Sequence, residues 1–338
     1  MDNSSRAVRV QTLRSESGFS FAELLVATAI LLIVSSTVTS GLLQLSTAQR
    51  TITNRTDMHS GVRSATELLQ QEVGQAGRVS LPGSTVKLSG AIAAGPATVG
   101  VIQTINGVDT PSVNGIFPNE LLVIDSGGPN PCVITTPCQE TVAVNGVNPV
   151  TKQITATFLY PHNANVAVNA FGGFAAGVVP PQPGYTNGST GNKLKLIGDI
   201  NGDGTVVYVE YTCDFSTNPG NLYRSTMAID AAAKPAVTGN ELLLGNILPN
   251  PGGTACFTYL PNPLPIVGLD TYVLDVAITL TVQTQTTDPT TNQFQTETKA
   301  LLNVSPRNVF NVWQLASAGF TNRIQPVPPN VTAILLPD

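Results

Sequence analysis

The chain has 338 residues, of which 16 are basic and 21 acidic, so only 11% are charged against about 25% in an ordinary soluble domain. With 42% apolar residues, disorder driven by charge is excluded, and the polar surface falls mainly to Thr, Asn, Ser and Gln. A net charge of −5 with no Lys/Arg cluster along the sequence argues against nucleic acid or an anionic lipid surface as a partner, and four Cys suit an oxidising compartment.

The first of 25 prolines is Pro82, so residues 1–81 read as leader and uninterrupted helix. From Leu24 to Gln49 there are 26 consecutive uncharged residues, and about 20 predominantly apolar ones suffice to cross a bilayer. Arg6, Arg9 and Arg14 outnumber Asp2 and Glu16 ahead of that run, a bias that keeps the N-terminus in the cytoplasm.

A secretory signal carries its small-residue cleavage site after the apolar run. Here the candidate site precedes it, in Gly18-Phe19-Ser20-Phe21-Ala22-Glu23. This arrangement resembles the type IV prepilin family: a short basic leader ending in Gly, then Phe, then an apolar helix with Glu at its fifth position. The resemblance implies that prepilin peptidase cuts after Gly18 and methylates the Phe19 amine. It also implies that Glu23 pairs with the N-terminal amine of a neighbouring subunit during assembly. A carboxylate at mid-bilayer costs about 2.5–3.5 kcal/mol on insertion scales, which favours a role for Glu23 over a residue that merely snorkels to the interface.

Beyond Arg50 the helix becomes amphipathic. Ala48, Ile52, Met58, Val62, Ala65, Leu69, Val73 and Ala76 recur at helical spacing, a stripe expected to pack on a sheet. Gly77 is the expected C′ residue, and the lone His59 receives no role. The tract 64–77 resembles the spine of PilW-type minor pilins, and Val304-Ser305-Pro306-Arg307-Asn308-Val309 resembles that family's closing strand.

The expected organisation is a leader (1–18), a hydrophobic transmembrane and assembly helix (19–49), the amphipathic half of the spine (50–77), a β-rich domain (82–324) and an extended Pro-rich tail (325–338). The fold class is α+β, a long helical spine packed on an antiparallel β-sheet with long loops. Strict alternation marks a strand at 276–282, and a turn at 286–292 returns the chain through 294–304 as a hairpin. Further strands are expected at 86–91, 120–125, 153–160, 193–197, 206–213, 222–227 and 255–260. The Gly-, Pro- and Asn-rich stretch 95–191 reads as irregular loops.

Proximity along the chain and in the expected sheet suggests two disulfides, Cys132 with Cys138 and Cys213 with Cys256. The spacing and the two His in the chain disfavour zinc. Asp199, Asn201, Asp203 and Thr205 follow the spacing of a calcium loop, with Glu210 at position 12. A strand from 206 onward would carry Glu210 about 20 Å away, too far to close an EF-hand. Two readings therefore stand: a strand-loop-strand tip holding Ca²⁺, or a turn that uses its glycines for positive φ.

No nucleotide loop, nucleophile elbow or metal-spaced His pair is present, and His162 has no acid or nucleophile visible beside it in sequence, so an enzyme is the weakest expectation. The resemblance implies a minor pilin that initiates a type IV pilus or caps its tip. Its partners would be prepilin peptidase, other minor and major pilins and an inner-membrane assembly platform. The location would be the inner membrane, then a pilus or periplasmic pseudopilus. A J-type minor pseudopilin of type II secretion and a tip-displayed adhesin are the alternatives.

Overall fold

The computed structural model describes residues 18–128, 136–181, 186–231, 233–234, 241–261 and 271–335, which leaves nearly all of the predicted leader outside the described residues. Helix α1 spans Phe21–Gln75, 55 residues or about 82 Å. No proline interrupts it, and its Val-, Ile- and Thr-rich stretch at 33–39 has modest helix propensity in water. In lipid the same stretch must be helical, because only a helix satisfies its own backbone groups there. The helix stops at a C-cap Ala76 followed by Gly77 at φ +82°, the predicted C′ position.

The strands follow in chain order: β1 (Thr85–Leu88), β2 (Gly95–Ile105), β3 (Val108–Pro111), β4 (Leu121–Ile124), β5 (Glu140–Asn148), β6 (Gln153–Phe158), β7 (Val168–Ala170), β8 (Gly173–Phe174), β9 (Lys193–Gly198) and β10 (Val207–Asp214). Then come β11 (Gly220–Ala228), β12 (Leu242–Leu248), β13 (Phe257–Pro261), β14 (Val273–Gln283), β15 (Thr296–Val304), α2 (Arg307–Ser317), β16 (Ile324–Gln325) and α3 (Pro329–Leu335). The protein is thus α+β, with two seven-stranded antiparallel sheets among the described residues. The first has the order β1-β2-β6-β5-β4-β7 with β3 beside β2. The second has the order β13-β14-β12-β11-β10-β9 with β15 beside β14.

Three expectations need correction. The stretch 95–191, read as irregular loops, supplies most of the first sheet, whose core is built from Val99, Val101, Leu122, Ile124, Val142, Val144, Ile154 and Phe158. The predicted closing strand at Val304–Val309 ends at Val304, and Arg307 opens α2, which buries Val309, Val312 and Ala316 along one face. The tail is not wholly extended: α3 buries Val331 and Leu335 where the two sheets meet, against Phe117, Phe174, Ile197 and Tyr208.

The spine stripe packs on the second sheet, but only over its C-terminal part. Val62, Ala65, Leu69 and Val73 are buried against Leu194, Leu196, Val209, Leu222, Ile247 and Ile278. Ile52 stays 64% exposed, and every residue from 18 to 46 is exposed. At the end of α1 the chain passes between elements at close range. Gly77 N–H donates to the Ile197 carbonyl (2.8 Å), and the Gly77 carbonyl accepts from Phe174 N–H (2.9 Å). A Cβ at Gly177 would lie 2.3 Å from Gly77 Cα, so both positions need glycine. The Asn308 amide on α2 closes the helix end by donating to the carbonyls of Gly74 and Gln75.

The Cys213–Cys256 disulfide forms as predicted, with 6.8 Å between Cα atoms, and ties β10 to the start of β13. Cys138 is buried, and its predicted partner Cys132 lies outside the described residues.

Leu69 is fully buried at the helix–sheet contact. Leu69→Ala is expected to lower the unfolding free energy of the domain by about 2–5 kcal/mol, read by denaturant unfolding of the detergent-solubilised chain.

Candidate functional site

The region with most functional character is α1 itself, beginning with its N-terminus. Gly18 and Phe19 are exposed, Phe19 to 90%. Ser20 is the N-cap and Glu23 the third helical residue. Ser20 N–H donates to Glu23 Oε2 (2.8 Å), and Glu23 N–H donates to Ser20 Oγ (3.3 Å), a reciprocal capping box. Glu23 thus has a local partner within its own chain, and the negative charge sits at the positive end of the helix dipole. The conformation places the Gly18–Phe19 bond in an uncovered, non-helical segment ahead of the capped helix.

One helix among the described residues is long and apolar enough to cross a membrane, and its apolar window is wholly unburied. Leu24, Leu25, Ile30, Leu31, Leu32, Ile33, Leu42 and Leu43 are all more than half exposed. So large an apolar surface is untenable in water and demands lipid or protein around it.

Between this half and the buried stripe, polar contacts brace the helix against the β14–β15 hairpin. Asn54 Nδ2 donates to Thr286 Oγ1 (2.7 Å), Arg55 donates to Gln295, and His59 pairs with Glu297. His59, given no role from sequence, thus meets a carboxylate on β15. The hairpin tip lies level with the first polar turns after the uncharged run.

Higher up, one carboxylate governs the seat. Glu72 is buried on α1 between Leu69 and Val73, facing β10 and β11. Arg224 Nη2 donates to Glu72 Oε1 at 2.6 Å, and its Nε lies 3.0 and 3.1 Å from the two oxygens. The Tyr211 hydroxyl donates to Glu72 Oε2 at 2.6 Å. Burial pulls the Arg224 pKa down, but hydrogen bonding and attraction to Glu72 more than offset it; burial and the Glu72 charge push the Tyr211 hydroxyl up. The group is a charged pair with a neutral phenol. Sequence reasoning passed over Glu72; its signal was an acid placed inside an apolar helical stripe.

The proposed calcium ligands have protein partners. Asp199, whose side chain is fully buried, accepts from Asp203 N–H through Oδ1 (3.0 Å); its Oδ2 accepts from the Ser80 hydroxyl and lies 3.5 Å from Arg78 Nε. Asp203 Oδ1 accepts from Thr205 N–H (2.8 Å), and Gly202 and Gly204 both have positive φ. Glu210 lies on β10 and faces lysines instead of the loop. The described geometry therefore fits the turn reading: a guanidinium already stands where a cation would neutralise Asp199, and the loop clips the exit of α1, with Asp199 N–H donating to the Arg78 carbonyl (2.8 Å). Asn201 is exposed and makes no part of this network.

His162, read from sequence as lacking an acid, has two beside it. Its Nε2 is 2.7 Å from Glu140 Oε1, and its Nδ1 is 3.9 Å from Asp125 Oδ2. The ring is buried and lies edge-on to Phe158. Glu140 also accepts from the N–H groups of Leu159 and Tyr160, so the cluster ties β5 to the end of β6. A cavity of about 550 Å³ lies where the two sheets meet, lined mainly by Val113, Ile116, Phe117, Ile229 and Pro328, with Asn114 and Asp230 as polar groups.

No protein-family model, no curated protein and no solved structure matches the chain.

The Asp199 network predicts that Arg78→Ala, which removes the cation beside a fully buried carboxylate, lowers the melting temperature. Added Ca²⁺ should leave that of the unaltered chain unchanged in differential scanning calorimetry. A Ca²⁺-dependent rise reversed by chelator would restore the calcium reading.

Proposed function

We propose that the chain is a type IV prepilin-like subunit, a minor pilin that is held by α1 in the inner membrane and then joins the initiating or tip complex of a pilus. The observation that carries this reading is the pairing of the Gly18-Phe19…Glu23 pattern with one helix whose first half is entirely unburied and whose second half is seated in a β-domain. A cleaved secretory signal would have no reason to continue without a break into the core of the folded domain. Here the apolar run and the buried stripe share a single 55-residue helix, which supports a mature protein that keeps its apolar half.

Prepilin peptidase, acting at the cytoplasmic face, would remove residues 1–18 and methylate the Phe19 amine. The capping box then acquires a further role. Cleavage turns the Gly18–Phe19 amide into a cationic amine three bonds from the Ser20 nitrogen, within the local field of Glu23. In a filament the same carboxylate would face a neighbour's amine, and other pilins would supply the apolar surroundings that residues 24–49 lack. A type II secretion pseudopilin would use the same half of the molecule, and piliation against secretion phenotypes separate the two. The cavity between the sheets favours, as a second reading, a displayed binding module. We assign no catalytic role.

The test is the mature N-terminus. Intact-mass measurement with prepilin peptidase co-expressed should show loss of residues 1–18 and one added methyl group. Gly18→Glu should abolish cleavage. Glu23→Ala should leave cleavage intact but reduce incorporation into filaments by at least tenfold. An N-terminus elsewhere would overturn the proposal.

A further inference from the structure

The second sheet has a face turned away from α1, and that face gathers an unusual charge cluster. Along β10, Val207, Val209 and Tyr211 face the helix-side core, so Tyr208, Glu210 and Thr212 alternate onto the other side. Along β9, Leu194 and Leu196 face the core, so Lys193 and Lys195 lie beside them, with Glu210 in register with Lys195 and Thr212 with Lys193. Lys234, after β11, closes on the same place. Three of the six lysines in a chain of net charge −5 thus gather around one carboxylate, two of them, Lys193 and Lys234, in contact with it and Lys195 in register with it on the neighbouring strand.

That carboxylate is saturated. Glu210 Oε1 receives Lys234 Nζ at 2.5 Å, Lys193 Nζ at 3.7 Å and Thr212 Oγ1 at 3.3 Å, while Oε2 accepts from the Tyr208 hydroxyl at 2.8 Å. The third ammonium has no acid. Lys195 is 7% exposed, and its Nζ donates to the Asn187 carbonyl at 2.5 Å. No described carboxylate lies within ion-pair distance of it. Buried ammonium groups are ordinarily paired, because transfer out of water is costly without an opposite charge. Burial, followed by repulsion from Lys234 and Lys193 against the attraction of Glu210, lowers the Lys195 pKa.

With three ammonium groups against one carboxylate, the cluster holds two positive charges in excess. The side chains of Lys193 and Lys234 are 46% and 26% exposed, so its mouth is open to solvent. The geometry points to a binding site for a small tetrahedral dianion, a phosphate or a phosphomonoester group, held by Lys193, Lys195 and Lys234. A dianion cancels the excess, supplies the acid that Lys195 lacks and offers several acceptor oxygens to ammonium donors converging from β9 and from the segment after β11. A single carboxylate would leave half the excess in place. This site is independent of the fate of the N-terminal helix.

The test is a thermal-shift titration of the full chain in detergent with inorganic phosphate and, separately, ethyl phosphate, against chloride at equal ionic strength. A saturable rise in melting temperature is expected with at least one of them: phosphate alone marks the free ion, and ethyl phosphate marks the ester group as acceptable. Lys193→Gln and Lys234→Gln, both at partly exposed positions, should each weaken the response about tenfold or more, whereas Lys299→Gln, outside the cluster, should not. Absence of a shift beyond that of chloride, or a shift unaltered in both cluster variants, would overturn the proposal.

Discussion

The structure turns on the contact among Glu72, Arg224 and Tyr211. A long helix with an apolar stripe can roll or slide on a sheet at modest cost, since burial of apolar area has little direction. A buried carboxylate cannot. Glu72 must meet the guanidinium of Arg224 and the hydroxyl of Tyr211 together, and displacing it by one residue along the helix would rotate it about 100° away and leave a buried charge unpaired. The ion pair therefore fixes register and rotation, while Val62, Ala65, Leu69 and Val73 supply most of the contact area.

From that fixed point the rest of α1 follows. The helix end is held by Asn308 on α2 and by the Gly77 crossing between β8 and β9. Toward the N-terminus the contacts turn from apolar to polar at His59, Arg55, Asn54 and Thr51, and every residue from 18 to 46 is exposed. The low charge fraction has two separate origins in this arrangement. The uncovered apolar half excludes charge because of what must surround it, whereas the β-domain carries few charges and commits several carboxylates to buried contacts. Glu72, Asp199, Glu210 and Glu140 are all engaged by buried or half-buried partners.

Elements with local signatures were readable from sequence. The 26-residue uncharged run, the Gly77 stop, the β14–β15 hairpin and the Cys213–Cys256 pair all came from patterns within a short window or from one pairing choice. The first sheet was hidden because β2 opens with Gly, Pro, Ala and Thr, and its alternation of buried positions passes through Gln103. A polar residue in the core phase erases the two-residue period. Helix α2 was hidden behind Pro306 and the polar Arg307-Asn308, although Val309, Val312 and Ala316 keep helical spacing. The polar clusters were the least legible. Glu72 meets partners 139 and 152 residues away, and Lys193 and Lys234 reach Glu210, with Lys195 beside them, only because β9, β10 and the chain after β11 fold together. The Asp199 loop shows the converse: a motif with ligand spacing whose oxygens are taken by Arg78, Ser80 and its own backbone.

The claim that Glu72 and Arg224 lock the spine to the second sheet is tested most directly by a double-mutant cycle, Glu72→Gln, Arg224→Met and the pair, with unfolding free energies measured in one detergent. Each single variant leaves a buried partner unsatisfied, so each is expected to lose about 3–5 kcal/mol. The double variant should recover part of that, with a coupling energy of about 1–3 kcal/mol. Simple additivity of the two losses would contradict the account, because it would mean that helix and sheet hold their register without the pair.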